Sequence, residues 1–130
     1  MKKISKKERS FGLHVQRIHF GVFDYSIIFV TGKIKYLQKY IRWKHHNKKF
    51  QLRISPCGSN GLLLTCPSYV DVIWMPRYPK TTDEVATLAH ESLHAILGLF
   101  EWAGMELNMQ TAEIATHVLG YMIREILDGR

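Results

Sequence analysis

The stretch "LAHESLHAIL" (Leu88–Leu97) sets His90, Glu91 and His94 in the spacing HExxH. On a helix, positions four apart differ by about 40° of rotation and one turn of rise, so both imidazoles project side by side. Two nitrogens so placed can hold one Zn²⁺, whose bonds to histidine are near 2 Å. Glu91 lies beside them on the same face, where a carboxylate serves as the general base for a water polarised by the metal. A chain with seven His and seven Glu carries this pattern by chance on the order of once in fifty such compositions.

A catalytic zinc site needs three protein ligands and one open position. A histidine-type extension, HExxHxxGxxH, is excluded because Leu97 and Phe100 stand where its glycine and third histidine belong. Glu101 lies two helical turns beyond His94, about 10 Å along the axis, which is too far. Glu106 falls in an expected loop. Glu113 falls early in the next helix, and an antiparallel neighbour can turn it toward the histidines, completing a His₂Glu set. The geometry leaves one tension. If the first helix continues to Gly104, a strict hairpin sets Glu113 about 10 Å above the pair, and only a helix stopping near Gly98, a folded-back connection or a steep crossing relieves it. His117, four residues after Glu113, is read either as an oxyanion donor or as a side chain orienting Glu113. Its alternative is a histidine bonded at a helix interface. Tyr121 is read as packing, and His45 and His46 as part of a solvated basic surface. Cys57 and Cys66, nine apart, lack metal-ligand spacing.

The elements that must position these residues follow from periodicity. "IHFGVFDYSIIFVTG" is β-branched and aromatic, and reads as one or two strands closed by Gly32. "KIKYLQKYIRWKHH" is an amphipathic helix with a basic outer face. "FQLRIS", "LLLTC" and "YVDVIWMP" read as further strands. Thr82–Asp83 offers an N-cap for a helix through Val85, Leu88, Ala89, Leu93, Ile96 and Leu97, ending near Gly98 or Gly104. Asn108 can cap a last helix with Ile114, Val118, Met122 and Ile126 on its buried side. Strands and one helix followed by two helices make an α+β domain with a small mixed or antiparallel sheet. Residues 1–130 read as a single domain, with 1–10 a loose basic tail.

Composition narrows the class. An apolar fraction of 46% and a charged fraction of 22% are those of an ordinary globular protein. Two cysteines make no disulfide framework, and the basic N-terminus is followed by no apolar signal segment. The expected compartment is therefore the cytoplasm, of a cell or of a phage-infected host. The net charge of +7 is uneven. Residues 1–53 hold fourteen Lys/Arg against Glu8 and Asp24, while the rest of the chain holds four against nine acidic residues. Such a basic half either meets nucleic acid or an acidic partner, or keeps a small protein soluble.

"VIWMP" (Val72–Pro76), "LAHESLHAIL" and "TAEIATHVLGYM" (Thr111–Met122) together resemble minimal gluzincin-type zinc metallopeptidases, in particular small phage-encoded ones. The resemblance spans roughly residues 70–125, and its specific parts are the HExxH and a Glu seven residues before a Gly, here Glu113 and Gly120. It implies a zincin-like fold, a zinc held by His90, His94 and Glu113, Glu91 as base and a peptide substrate. It also implies that "DVIWMP" is a sheet edge lining the cleft. The family often has Tyr at the position of His117, where this chain departs from the pattern. The basic half is not explained by the resemblance. The rival expectations are a catalytically silent zinc-stabilised module that uses this half to engage nucleic acid or a host protein, and hydrolysis of some other amide.

Overall fold

The computed structural model describes residues 4–44, 62–64 and 71–129. In chain order the elements are α1 (Lys6–Arg9), β1 (His14–Phe20), β2 (Tyr25–Thr31), α2 (Ile34–Lys44), β3 (Leu62–Leu64), β4 (Asp71–Met75), α3 (Thr82–Trp102) and α4 (Ala112–Asp128). The expected α+β class and mixed sheet are observed. The expected strand "FQLRIS", His45, His46 and both cysteines lie outside the described residues. Within 1–10, read as a loose tail, Lys6–Arg9 form one helical turn.

The four strands run in the order β1-β2-β4-β3. β1 and β2 form an antiparallel hairpin closed between Phe20 and Tyr25, β2 and β4 are parallel, and β3 returns antiparallel to β4. Both central strands are buried along nearly their whole length. That is why they read as continuous apolar runs rather than as alternating ones. Alternate residues face two cores. Ile27, Phe29, Ile73 and Met75 pack under α3 and α4. Ile28, Val30, Val72 and Trp74 pack under α2, through its Leu37, Tyr40 and Ile41. The expectation that "DVIWMP" is an open edge is corrected. Leu62–Leu64 pair with Val72–Trp74, so β3 covers the outer side of β4.

α3 starts one residue earlier than expected. Thr81, not Thr82, is the N-cap, because a capping box needs Glu three residues on, and Thr81 and Glu84 bond reciprocally. The helix passes through Gly98 and ends at Trp102, since Leu99 and Phe100 are buried and hold the chain helical beyond the glycine. Gly104 (φ +71°) then closes a Schellman turn, with Met105 N donating to Phe100 O and Gly104 N to Glu101 O. The N-cap of α4 is Thr111, with no side-chain cap bond, and not the expected Asn108, whose Oδ1 instead accepts from the backbone N of Gln110 and Thr111 in the turn before the helix. The buried side of α4 is Ala115, Met122 and Ile126 with Val118 partly covered, and Ile114 is 40% exposed, contrary to expectation. Leu93 and Leu97 of α3 are also exposed, because the stripe of α3 that meets the sheet is Leu88, Ser92, Ala95, Ile96 and Leu99. Among the described residues no helix is long and apolar enough to cross a membrane.

Candidate metal centre

His90 and His94 project from the side of α3 turned away from the sheet, and both are exposed. Their Nε2 atoms are 3.2 Å apart, with ring centroids at 4.8 Å and planes at 74°. Two bonds of about 2.0–2.1 Å to one ion, drawn from nitrogens at this separation, enclose an angle of about 100–106°, close to the tetrahedral value zinc prefers. The same separation fits an N–H···N hydrogen bond when one ring carries its proton on Nε2. The separation is thus compatible with a shared metal ion and with a direct hydrogen bond between the rings. Glu91, half-buried, follows His90 directly and makes no hydrogen bond among the described residues.

Glu113 and His117 form a second pair on α4, with Nε2 to Oε1 at 3.0 Å and side chains 82% and 78% exposed. Among the described residues, no group of three or more His, Cys, Asp or Glu side chains is gathered in ligating geometry. The structure thus brings His90 to His94 and Glu113 to His117, and does not join Glu113 to the histidine pair. Of the helix lengths left open by the sequence, α3 takes the long one, with Glu113 only two residues into α4.

His117 also borders a cleft of about 270 Å³ between the β1–β2 turn and α4, lined by Phe20, Val22, Phe23, Val118 and Tyr121 along with His19. Tyr121 donates from its hydroxyl to His19 O, and its ring meets Phe20 edge-on. Burial, with the Glu125 charge adding to it, raises the Tyr121 hydroxyl above the ordinary tyrosine range. His19 Nδ1 lies 2.8 Å from Ser26 Oγ. Nothing in the spacing around His19 marks it, since its neighbourhood arises only when the hairpin meets α4.

A second polar feature went unread in the sequence. Asp71, at the start of β4, is buried and accepts a 2.7 Å hydrogen bond from the Tyr25 hydroxyl. Burial pushes the Asp71 carboxyl up, while the Tyr25 bond pulls it down in part. Tyr25 is in turn held well above its usual range, chiefly by burial and then by this bond and the neighbouring carboxylate. Its ring lies 5.2 Å from that of Trp102, tilted at 45°, so the pair ties β2 and β4 to the end of α3. A charged residue inside "YVDVIWMP" was the available signal.

Sheet, helix order and paired imidazoles define a small α+β domain with two histidines side by side on an exposed helix face. No family model, curated protein or solved structure matches the chain.

Proposed function

We propose that this protein is a zinc-dependent metallopeptidase of the minimal gluzincin kind, with its metal held by His90, His94 and Glu113. The observation that carries the proposal is the 3.2 Å approach of the two imidazole nitrogens on the solvent side of a capped helix. Zinc at such a site supplies a Lewis acid that makes water nucleophilic near neutral pH and polarises the scissile carbonyl. With the metal bound, Glu91 would be the base that takes the proton of the attacking water and returns it to the leaving amine. To serve as third ligand Glu113 would have to leave His117 and close on the histidine pair, and His117 would then be free to donate to the oxyanion of the substrate.

The test is zinc content and peptide hydrolysis measured on the same preparations. The wild type is expected to bind one zinc per chain, and His94→Ala to bind none. Glu91→Gln is expected to keep the zinc and lose roughly 10²-fold or more of its rate. Unchanged hydrolysis in Glu91→Gln, or a wild type without zinc, sinks the proposal. One observation favours the rival, a zinc-stabilised module without hydrolysis: Glu113 is engaged with His117 rather than gathered with the histidines. Stoichiometric zinc with no cleavage of a mixed peptide pool selects that reading.

A further inference from the structure

The layer built by α1 and α2 covers the face of the sheet opposite α3 and α4. Ile4 and Phe11, on either side of α1, pack into the same core as Leu37, Tyr40 and Ile41. The Phe11 ring lies 5.7 Å from that of Tyr40 and 5.4 Å from that of Trp43. These aromatic contacts bind the α1 segment into the α2 layer, so the exposed Lys6, Lys7 and Arg9 lie on the same side of the sheet as the exposed Lys33, Lys35 and Lys39. α2 itself contains no acidic residue. Lys33, Lys35 and Lys39 make no ion pair among the described residues. The Lys7 and Lys35 ammonium groups sit over the rings of Phe11 and Tyr36 at 5.4 and 5.1 Å.

Two further features indicate what this charge serves. Lys33 directly precedes α2 and Lys35 lies in its first turn, where the helix dipole disfavours cations, so their placement does not stabilise the helix. α3 and α4, by contrast, carry Asp83, Glu84 and Glu113 in their first turns. In addition, every exposed large hydrophobic side chain among the described residues lies off this layer. A protein partner needs an apolar centre to its interface, and a bilayer needs an apolar helix face to insert. Here the apolar face of α2 is already spent on the sheet. A cationic surface without apolar anchors suits a polyanion whose charges lie outside and repeat.

We infer that the α1–α2 layer docks on the phosphate backbone of nucleic acid, independently of sequence, on the side of the molecule opposite the histidine pair. This inference does not rest on the peptidase proposal. Four to six phosphate contacts, the number the six cations can make, predict a loss of about 10²–10³ in affinity between 50 and 200 mM salt.

The experiment is fluorescence anisotropy of the full chain on a labelled DNA duplex of about twenty base pairs, titrated at both salt concentrations. Lys35→Glu/Lys39→Glu is expected to bind roughly tenfold or more weakly at low salt, with a shallower salt slope. Lys6→Glu/Lys7→Glu, which leaves α2 untouched, is expected to act the same way. Lys80→Glu, an exposed cation just before α3, is expected to stay within about twofold. Absence of duplex binding at 50 mM salt overturns the inference. So do charge reversals on α1 and α2 that act no more strongly than Lys80→Glu, and binding to phosphatidylserine vesicles in preference to the duplex.

Discussion

Asp71 and Tyr25 show how a single buried contact fixes a pH dependence. The folded state favours the protonated Asp71 carboxyl, because burial raises it above the unfolded value. Its contribution to stability is therefore complete in acid and is lost as pH rises through the raised value. The Tyr25 bond offsets part of that burial. Tyr25→Phe is accordingly expected to cost about 1–3 kcal/mol at neutral pH and less in acid, as read by urea denaturation at the two conditions. Asp71→Asn keeps an acceptor for the Tyr25 hydroxyl and removes the charge. It is expected to hold or raise stability at neutral pH and to flatten the pH profile, and a loss of more than about 1 kcal/mol there contradicts this account.

At the scale of the element, α3 is held at both ends by local chemistry. Thr81→Ala removes the side-chain half of the capping box and is expected to lower the unfolding free energy by about 1 kcal/mol. Arg77, with the backbone N–H of Thr81, holds the Glu84 carboxyl well below the usual carboxylate range. Its stabilisation is present above the unfolded value and is lost as pH falls through the folded one, so the wild-type advantage over Glu84→Ala is expected to shrink in acid. Gly104→Ala forces a side chain into φ +71° and is expected to cost about 1–2 kcal/mol in thermal or urea unfolding. These ends also show what was legible in the sequence. A start near Thr81–Glu84 was readable, and the three-residue spacing to Glu84 would have chosen between the two threonines. The stop was not readable, because Gly98 and Gly104 look alike until Leu99 and Phe100 are seen to be buried. The histidine pair was readable because its spacing is a property of one helix. The relation of Glu113 to that pair depends on how two helices meet, and no local pattern encodes it. The same limit hid the neighbourhoods of His19 and Asp71, and it made Ile114 look like core when α4 is rotated to bury Ala115.

The whole molecule is two layers sharing one sheet, and that sharing makes a local event visible at a distance. β2 and β4 contribute alternate residues to the core under α2 and to the core under α3 and α4, so neither core can open while the other keeps its floor. Leu37→Ala on one side and Leu99→Ala on the other are each expected to cost about 2–5 kcal/mol. Both should move one common transition, with Trp fluorescence and far-UV circular dichroism coinciding in urea. The proposed zinc site lies in the α3–α4 layer, whereas Trp43 and Trp74 belong to the layer of α2. Zinc at about a hundred times its dissociation constant stabilises a folded state that alone binds it by about 2.7 kcal/mol. In a Trp102→Phe background, fluorescence from Trp43 and Trp74 is therefore expected to report that full shift, and His94→Ala to abolish it. A zinc-induced shift seen by circular dichroism but absent from these two tryptophans would show that the layers unfold separately. The shared sheet would then not couple the histidine-bearing helix to the basic face.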